Sequence, residues 1–487
     1  MKRGLFKVTV FLLSLVLLMT GCSDGKSKVK LDPKNPVAIE IWHYYNGPQK
    51  IAFDSLITEF NETVGQEQGI VVEAFSQGNV TELIDAVIDS ANKKVGAAEI
   101  PDVFAAYPDT AYQVDQMGLV ADLDKYMTQE ELDEYVPGYL DEGRFDKEGT
   151  LKIFPIAKST EIFMLNKTDW EKFASATGAS MDDLQTVEGV TETAEKYYDW
   201  TDAQTPEPDD GKAFFGRDAV ANYMIIGSKQ LGVEIFHVEK GEIHLNIDKE
   251  VMRKLWDNFY VPYINGYFAA NGKFRSEDAK KGNIIALVGS TSGAAYFPNQ
   301  VMVNDTESYD IEAAVLPAPV FSGGEKVAVQ QGAGMVVTKS DEKREYASTV
   351  FLKWFTEAQR NVDFSAGSGY LPVKKEANNT ELILGAVEKE EKQLIRENLG
   401  IALPVAIDVV NTHEMYISKA FDGGTAARDV LEVSMINKAN EDLTAIREMM
   451  DNGTARKDAV AKYDTDENFE DWFQQFSKDL KAAAQVS

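Results

Sequence analysis

From Val37 onward the apolar residues alternate between two spacings. Val37-Ala-Ile39-Glu-Ile41-Trp42 has the period of a strand; after Pro48, Phe53, Leu56, Ile57 and Phe60 recur at helical spacing, and Ile70 to Ala74 returns to strand. Leu83, Ile84, Val87, Ile88 and Ala91 predict a second helix, and Pro101-Asp-Val-Phe-Ala-Ala a third extended segment. This rhythm predicts right-handed βαβ units and an α/β fold with mostly parallel sheets flanked by helices.

The stretch LKIFPIAKSTEIFMLNK, Leu151 to Lys167, breaks the pattern. Ile153, Phe154 and Ile156 precede Lys158, Ser159, Thr160 and Glu161, and Ile162 to Leu165 follow them, so a β-prone segment turns polar at its middle. Four polar side chains between two apolar runs are costly unless they meet a partner or solvent. The segment is therefore expected to pass through a wet cleft between two packed bodies, or else to end a strand in a polar turn.

Beyond it, Thr168 to Tyr198 is helix-rich, Thr201 to Lys212 is an acidic loop, and Asn222 to Leu231 and Lys249 to Phe259 are expected helices. Asn283 to Val288 reads as a buried strand ending in the small polar run Gly289 to Gly293. Ala313 to Leu316 is another strand, and GAGMVVT, Gly332 to Thr338, a third. Lys343 to Thr356 follows as a helix, and Trp354 there, like Trp256 earlier, is read as core because helical periodicity explains it. Ser368-Gly-Tyr370-Leu-Pro372 is a rigid turn that presents a tyrosine.

At 487 residues the chain is long enough for two lobes. Its net charge of -30 repels phosphate backbones and argues against nucleic acid as a partner. Residues 1–22 differ in kind: Lys2, Arg3 and Lys7 precede the apolar run Val8 to Met19, and Cys22, the one cysteine, follows Thr20 and Gly21. This is a signal peptide by pattern, with an apolar run short for a membrane span. Residues 23–35 are lysine-bearing and without apolar periodicity, as a flexible tether with a reach of about 20 Å would be.

No GxGxxG follows a strand, and GxxxxGK[ST] and HExxH are absent, so nucleotide and zincin sites are unsupported. His43, His237, His244 and His413 lack metal-ligand spacing, and Asp464 to Gln475 has Phe469 where a calcium loop needs glycine. Gly289-Ser-Thr-Ser-Gly293 is not a nucleophile elbow, because threonine occupies its centre. No cofactor is expected.

Six ordered blocks carry a resemblance: IEIWHYYNG, PDVFAAYPDTAYQVDQMGLVADLD, FPIAKSTEIFMLNK, VGSTSGAAYF, QQGAGMVVTKSD and SGYLPVKK. Together they resemble the extracellular solute-binding proteins of ABC-type sugar importers, the group that includes maltose- and glycerol-3-phosphate-binding proteins. MTGC at the end of the signal resembles a lipobox, which implies lipidation at Cys22 and anchoring at the extracytoplasmic face of the cell membrane. The resemblance implies two lobes that close on a carbohydrate by hinge motion, a monomer, no enzymatic activity, and delivery to permease subunits. Lobe one is expected at 36–155 plus 286–318, and lobe two at 156–285 plus 319–487.

Carried over position by position, the cleft receives Trp42, Tyr44 and Tyr45, then Asn79, Asp109, Ser159 and Thr160. Ser290, Thr291, Ser292, Gln331, Gly332 and Tyr370 complete its other walls. Aromatic faces cover sugar C–H surfaces while hydroxyls and carboxylates meet sugar hydroxyls. Glycerophosphate-binding relatives use an arginine before their late helices; Ile407 to Asn411 has none, which favours a neutral or amine-bearing sugar with Asp408 as a hydroxyl acceptor, and leaves glycerol-3-phosphate as an alternative. A tyrosine of the family falls at Val80. A secreted glycan-degrading lipoprotein enzyme is the rival reading.

Overall fold

A computed structural model describes residues 29–239 and 242–486. The signal peptide expected at residues 1–22, with Cys22, lies outside the described residues. Strand β1 (Val37–His43) is followed by helix α1 (Gly47–Glu62), β2 (Ile70–Ser76), α2 (Val80–Ala91), β3 (Val103–Ala106) and α3 (Pro108–Gln116). β1 pairs in parallel with both β2, from Val37↔Ile70 to His43↔Ser76, and β3, so the βαβ pattern read from periodicity forms as expected.

The sheets are mixed rather than mostly parallel. In the first, β9 (Gly334–Val337) lies antiparallel beside β3. The second contains β4 (Glu161–Asn166), β5 (Phe215–Arg217), β6 (Ala286–Ser290) and β7 (Ala313–Pro317) in the order β7-β4-β6-β5, with β4 antiparallel to both neighbours. The antiparallel members are strands by which the chain enters a sheet from the other body, so no helical crossover dictates their direction.

Strand pairing also corrects the expected lobe boundaries. Segment 286–318 carries β6 and β7, which belong to the second sheet with β4, whereas β9, placed with lobe two from sequence, belongs to the first. Three apolar cores accompany the sheets. Ile39, Ile41, Phe53, Phe60 and Phe104 fill the first, together with Phe351 and Phe355 of α5 (Glu342–Phe355). Alternate residues of β4 feed the other two: Phe163 and Leu165 pack with Trp256 and Trp472, and Ile162 and Met164 with Leu399 and Ile407. Because both faces of β4 are covered, its apolar run is continuous rather than alternating.

The polar stretch at Lys158 lies where the two bodies join. Lys158 bridges to Leu371, just past α6 (Ala358–Ser368), and Ser159 bridges to Gln331, just past β8 (Val327–Val329), so three connections run side by side. Gly332 turns there at φ +92, and a Cβ would meet the Ala157 carbonyl oxygen at 3.0 Å and the Tyr370 ring at 3.2 Å. From α7 (Gln393–Thr412) the chain continues through β10 (Glu414–Tyr416), which pairs with β8, to the long α8 (Gly424–Asp451).

Candidate functional site

Just past the end of β1, the Tyr44 hydroxyl lies 3.2 Å from that of Tyr370. The Ala333 amide donates to the Tyr44 oxygen at 3.4 Å, and Tyr107 hydrogen-bonds to the same hydroxyl. Burial holds all three phenols well above the ordinary tyrosine range, so they are neutral donors and acceptors. Tyr45 packs beneath them against Phe53, Phe364 and Tyr370.

Beside this cluster opens a chamber of about 410 Å³ whose walls include Tyr107, Asp109, Asn222, Gln330, Gln331 and Arg428. Its volume falls in the range of small-molecule sites. Tyr107 and Asp109 come from the start of α3, Asn222 from α4 (Val220–Gln230), and Arg428 from the second turn of α8. Burial pushes the Asp109 carboxyl up to about 6, against the pull of the Arg428 cation and a hydrogen bond with the Thr425 side chain. Arg428 donates to Asn222 Oδ1 at 2.5 Å, Asn222 donates to Glu161 at 2.8 Å, and Arg217 holds the other Glu161 oxygen at 2.7 Å. Gln331 Oε1, by contrast, is buried without a hydrogen-bond partner among the described residues. A second space of about 870 Å³, lined by Glu142, Lys229 and His413 among others, shares Phe236, Tyr416, Ile417 and Lys419 with the first.

Of the residues expected in the cleft, Asp109 and Gln331 line the chamber, Tyr44 and Tyr370 stand behind its wall and are joined to it through Tyr107, and Gly332 supplies the close approach beneath Tyr370. Ser159 and Thr160 are buried in the hinge ladder, away from the chamber walls. Ser290, Thr291 and Ser292 lie behind that ladder: the Thr291 amide donates to the Thr160 carbonyl at 2.9 Å, and the Ser290 and Ser292 hydroxyls are 2.9 Å apart. Trp42 is displaced from the expected wall, since its indole N–H donates to Glu40, two residues back on the same strand, and its ring joins the first core. Tyr45 is core as well.

Two further placements are corrected. Asn79 is the N-cap of α2, accepting from the Glu82 amide at 3.0 Å in a reciprocal capping box, and it is the adjacent Val80 that lines the chamber. Asp408 is exposed on α7, outside the chamber. Arg428 lines the chamber, so the cleft does hold a cation. Tyr107 lies in the strand-end loop where a ligand is expected from sequence, whereas Asn222, Gln330 and Arg428 were missed; the Gly423-Gly424 pair opening a helix with Arg428 on its second turn is the signal that was available. Among the described residues there is no cluster of three metal-ligating side chains, and no helix is long and apolar enough to cross a membrane.

The chain is similar in fold to proteins of known structure across nearly its whole length. The cyclic α-maltosyl-1,6-maltose binding protein of Arthrobacter globiformis is 17% identical with a TM-score of 0.64, covering 93% of this chain and 100% of that one. UgpB of Mycobacterium tuberculosis, in complex with glycerophosphocholine, is 17% identical with a TM-score of 0.62 over 91% of this chain and 99% of its own. An ABC substrate-binding protein of Listeria monocytogenes in complex with cycloalternan is 14% identical with a TM-score of 0.62, covering 93% and 100%. At such identities the likeness establishes the two-lobe fold. No curated protein sequence matches. The profile of the bacterial extracellular solute-binding proteins matches residues 55–390, more than half the chain, and the chain belongs to that family.

Proposed function

We propose that this binding protein serves an ABC importer by capturing a neutral carbohydrate between its lobes and delivering it to the permease, tethered to the outer face of the membrane through a lipid on Cys22. Lobe one in this reading is built on the first sheet, residues 36–157 with β9 to α6, and lobe two on the second sheet with α7 and α8.

The observation that carries the reading is how the polar groups of the chamber are spent. Next to the chamber Glu161 is engaged by Arg217 and Asn222, and on its wall Arg428 donates to Asn222, so these two charges are answered within the protein. The uncharged groups are less fully spent: three neutral phenols share one another's hydroxyls, and the Gln331 carbonyl is left over. Unanswered neutral donors and acceptors beside aromatic faces match a polyhydroxylated, uncharged solute. Arg428 favours one second reading, a glycerophosphodiester held by the guanidinium.

Calorimetric titration with linear and cyclic maltooligosaccharides, sn-glycerol 3-phosphate and glycerophosphocholine decides between them. The expected result is micromolar or tighter binding of a neutral oligosaccharide, with a rise in melting temperature that grows with its concentration. Binding confined to the phosphate-bearing solutes would replace the first reading by the second.

A further inference from the structure

Asp109 sits on α3 beside the first sheet and Gly424 on α8, which packs with the second, yet a Cβ at Gly424 would lie 2.6 Å from Asp109 Oδ1. The carboxylate therefore stands directly against the first turn of α8 in this structure. What it receives there is limited. The Thr425 side chain gives a hydrogen bond, and the Arg428 guanidinium attracts the carboxylate while donating one N–H to Asn222. A carboxylate has about four lone-pair positions to satisfy and loses the water that filled them when the cleft shuts.

We propose that Asp109 is a brake on empty closure: shutting the cleft strips its carboxylate of water without replacing all of its hydrogen bonds, and a solute that donates hydroxyls to it releases the brake. The upward displacement of its titration to about 6 agrees in sign, because it means that this arrangement holds the neutral acid better than the anion. The charged and titratable groups facing it are Tyr107 on its own helix, Lys419 on the segment before α8, and Arg428 and Asp429 on α8. The resistance to closure is a property of the protein alone; only its release by a hydroxylated solute rests on the function proposed above.

Small-angle X-ray scattering of the full protein without any solute tests the brake, independently of what the solute is. At pH 7.5 the isosteric Asp109→Asn variant should raise the closed-to-open ratio about tenfold or more, seen as a smaller radius of gyration. Wild type should move the same way between pH 7.5 and 5.5, and Asp109→Asn should lose that response. Gly424→Ala, which crowds the carboxylate, should move the ratio toward open. An unchanged ratio in Asp109→Asn overturns the proposal, and a fall in it would show that the carboxylate is a latch holding the lobes together.

Discussion

Lys158 Nζ lies 2.6 Å from Glu142 Oε2, with both side chains 1% exposed, at the point where the two lobes join. The same ammonium donates to the Gly332 carbonyl at 2.7 Å, and the Gln330 amide donates to the same Glu142 oxygen. The lysine that interrupts the apolar run at Leu151 to Lys167 thus ties two of the three hinge connections to lobe one. Removing one partner of such a pair leaves a buried charge unanswered, at a cost of about 3–5 kcal/mol. Lys158→Met should lower unfolding stability by that order in urea titrations, and Glu142→Gln added to it should recover part of the loss. Equal stability of Lys158→Met and wild type would remove the pair from the hinge's support.

Thr160 makes the opposite case. Its hydroxyl is buried and has no hydrogen-bond partner among the described residues, while its backbone carbonyl accepts from Thr291. An unsatisfied buried hydroxyl costs about 1–3 kcal/mol, so the isosteric Thr160→Val should leave stability unchanged or raise it by about 1 kcal/mol. A loss of more than about 1 kcal/mol in thermal unfolding would reveal a partner for that hydroxyl, such as an ordered water.

His43 makes stability depend on pH. Its Nδ1 accepts from the Tyr45 amide at 3.1 Å, its ring is packed between Tyr45 and Phe53, and burial pushes its titration down to about 4. An unfolded histidine takes up its proton near 6.5, so between 6.5 and 4 the unfolded chain binds more protons than the folded one. Stability should therefore fall with pH across that window, by about 3 kcal/mol in full, and be indifferent to His43 above it. Asp109 contributes with the opposite sign, which is why the comparison must be made against His43→Asn at each pH. The gap between the two unfolding free energies at pH 7.5 should shrink progressively at pH 6 and 5; parallel curves would show that the ring takes its proton as freely in the fold.

What could be seen in the sequence follows from how local each feature is. β1, β2, β3 and the helices between them announce themselves by periodicity, and β4 by an apolar run that only a doubly covered strand needs. The hinge at Lys158 was visible as a polar interruption, although its lysine satisfies the interior and not the solute. Trp42 was misplaced because strand alternation allows either face, and only the bond to Glu40 decides it. Arg428 could not be found by position, since it reaches the chamber from more than 300 residues beyond Asp109, and nothing in the intervening chain sets how α8 meets α3.

Tyr370 and Tyr44 carry the last prediction, which separates their packing from their chemistry. The Tyr370 ring stacks on Phe364 at a centroid distance of 6.1 Å, so Tyr370→Phe keeps the apolar contacts and deletes only the hydroxyl that meets Tyr44. Melting temperature should change by no more than a few degrees, because one neutral hydrogen bond contributes about 1 kcal/mol. If these hydroxyls answer a neutral carbohydrate, affinity should fall about fivefold to thirtyfold in Tyr370→Phe or Tyr44→Phe, the equivalent of about 1–2 kcal/mol. Because the two hydroxyls share one bond, the double variant should lose less than the sum of the singles, and a double-variant cycle by calorimetry measures the difference. Unaltered affinity in all three variants would place the solute elsewhere in the cleft and leave the tyrosines a purely structural part of the hinge.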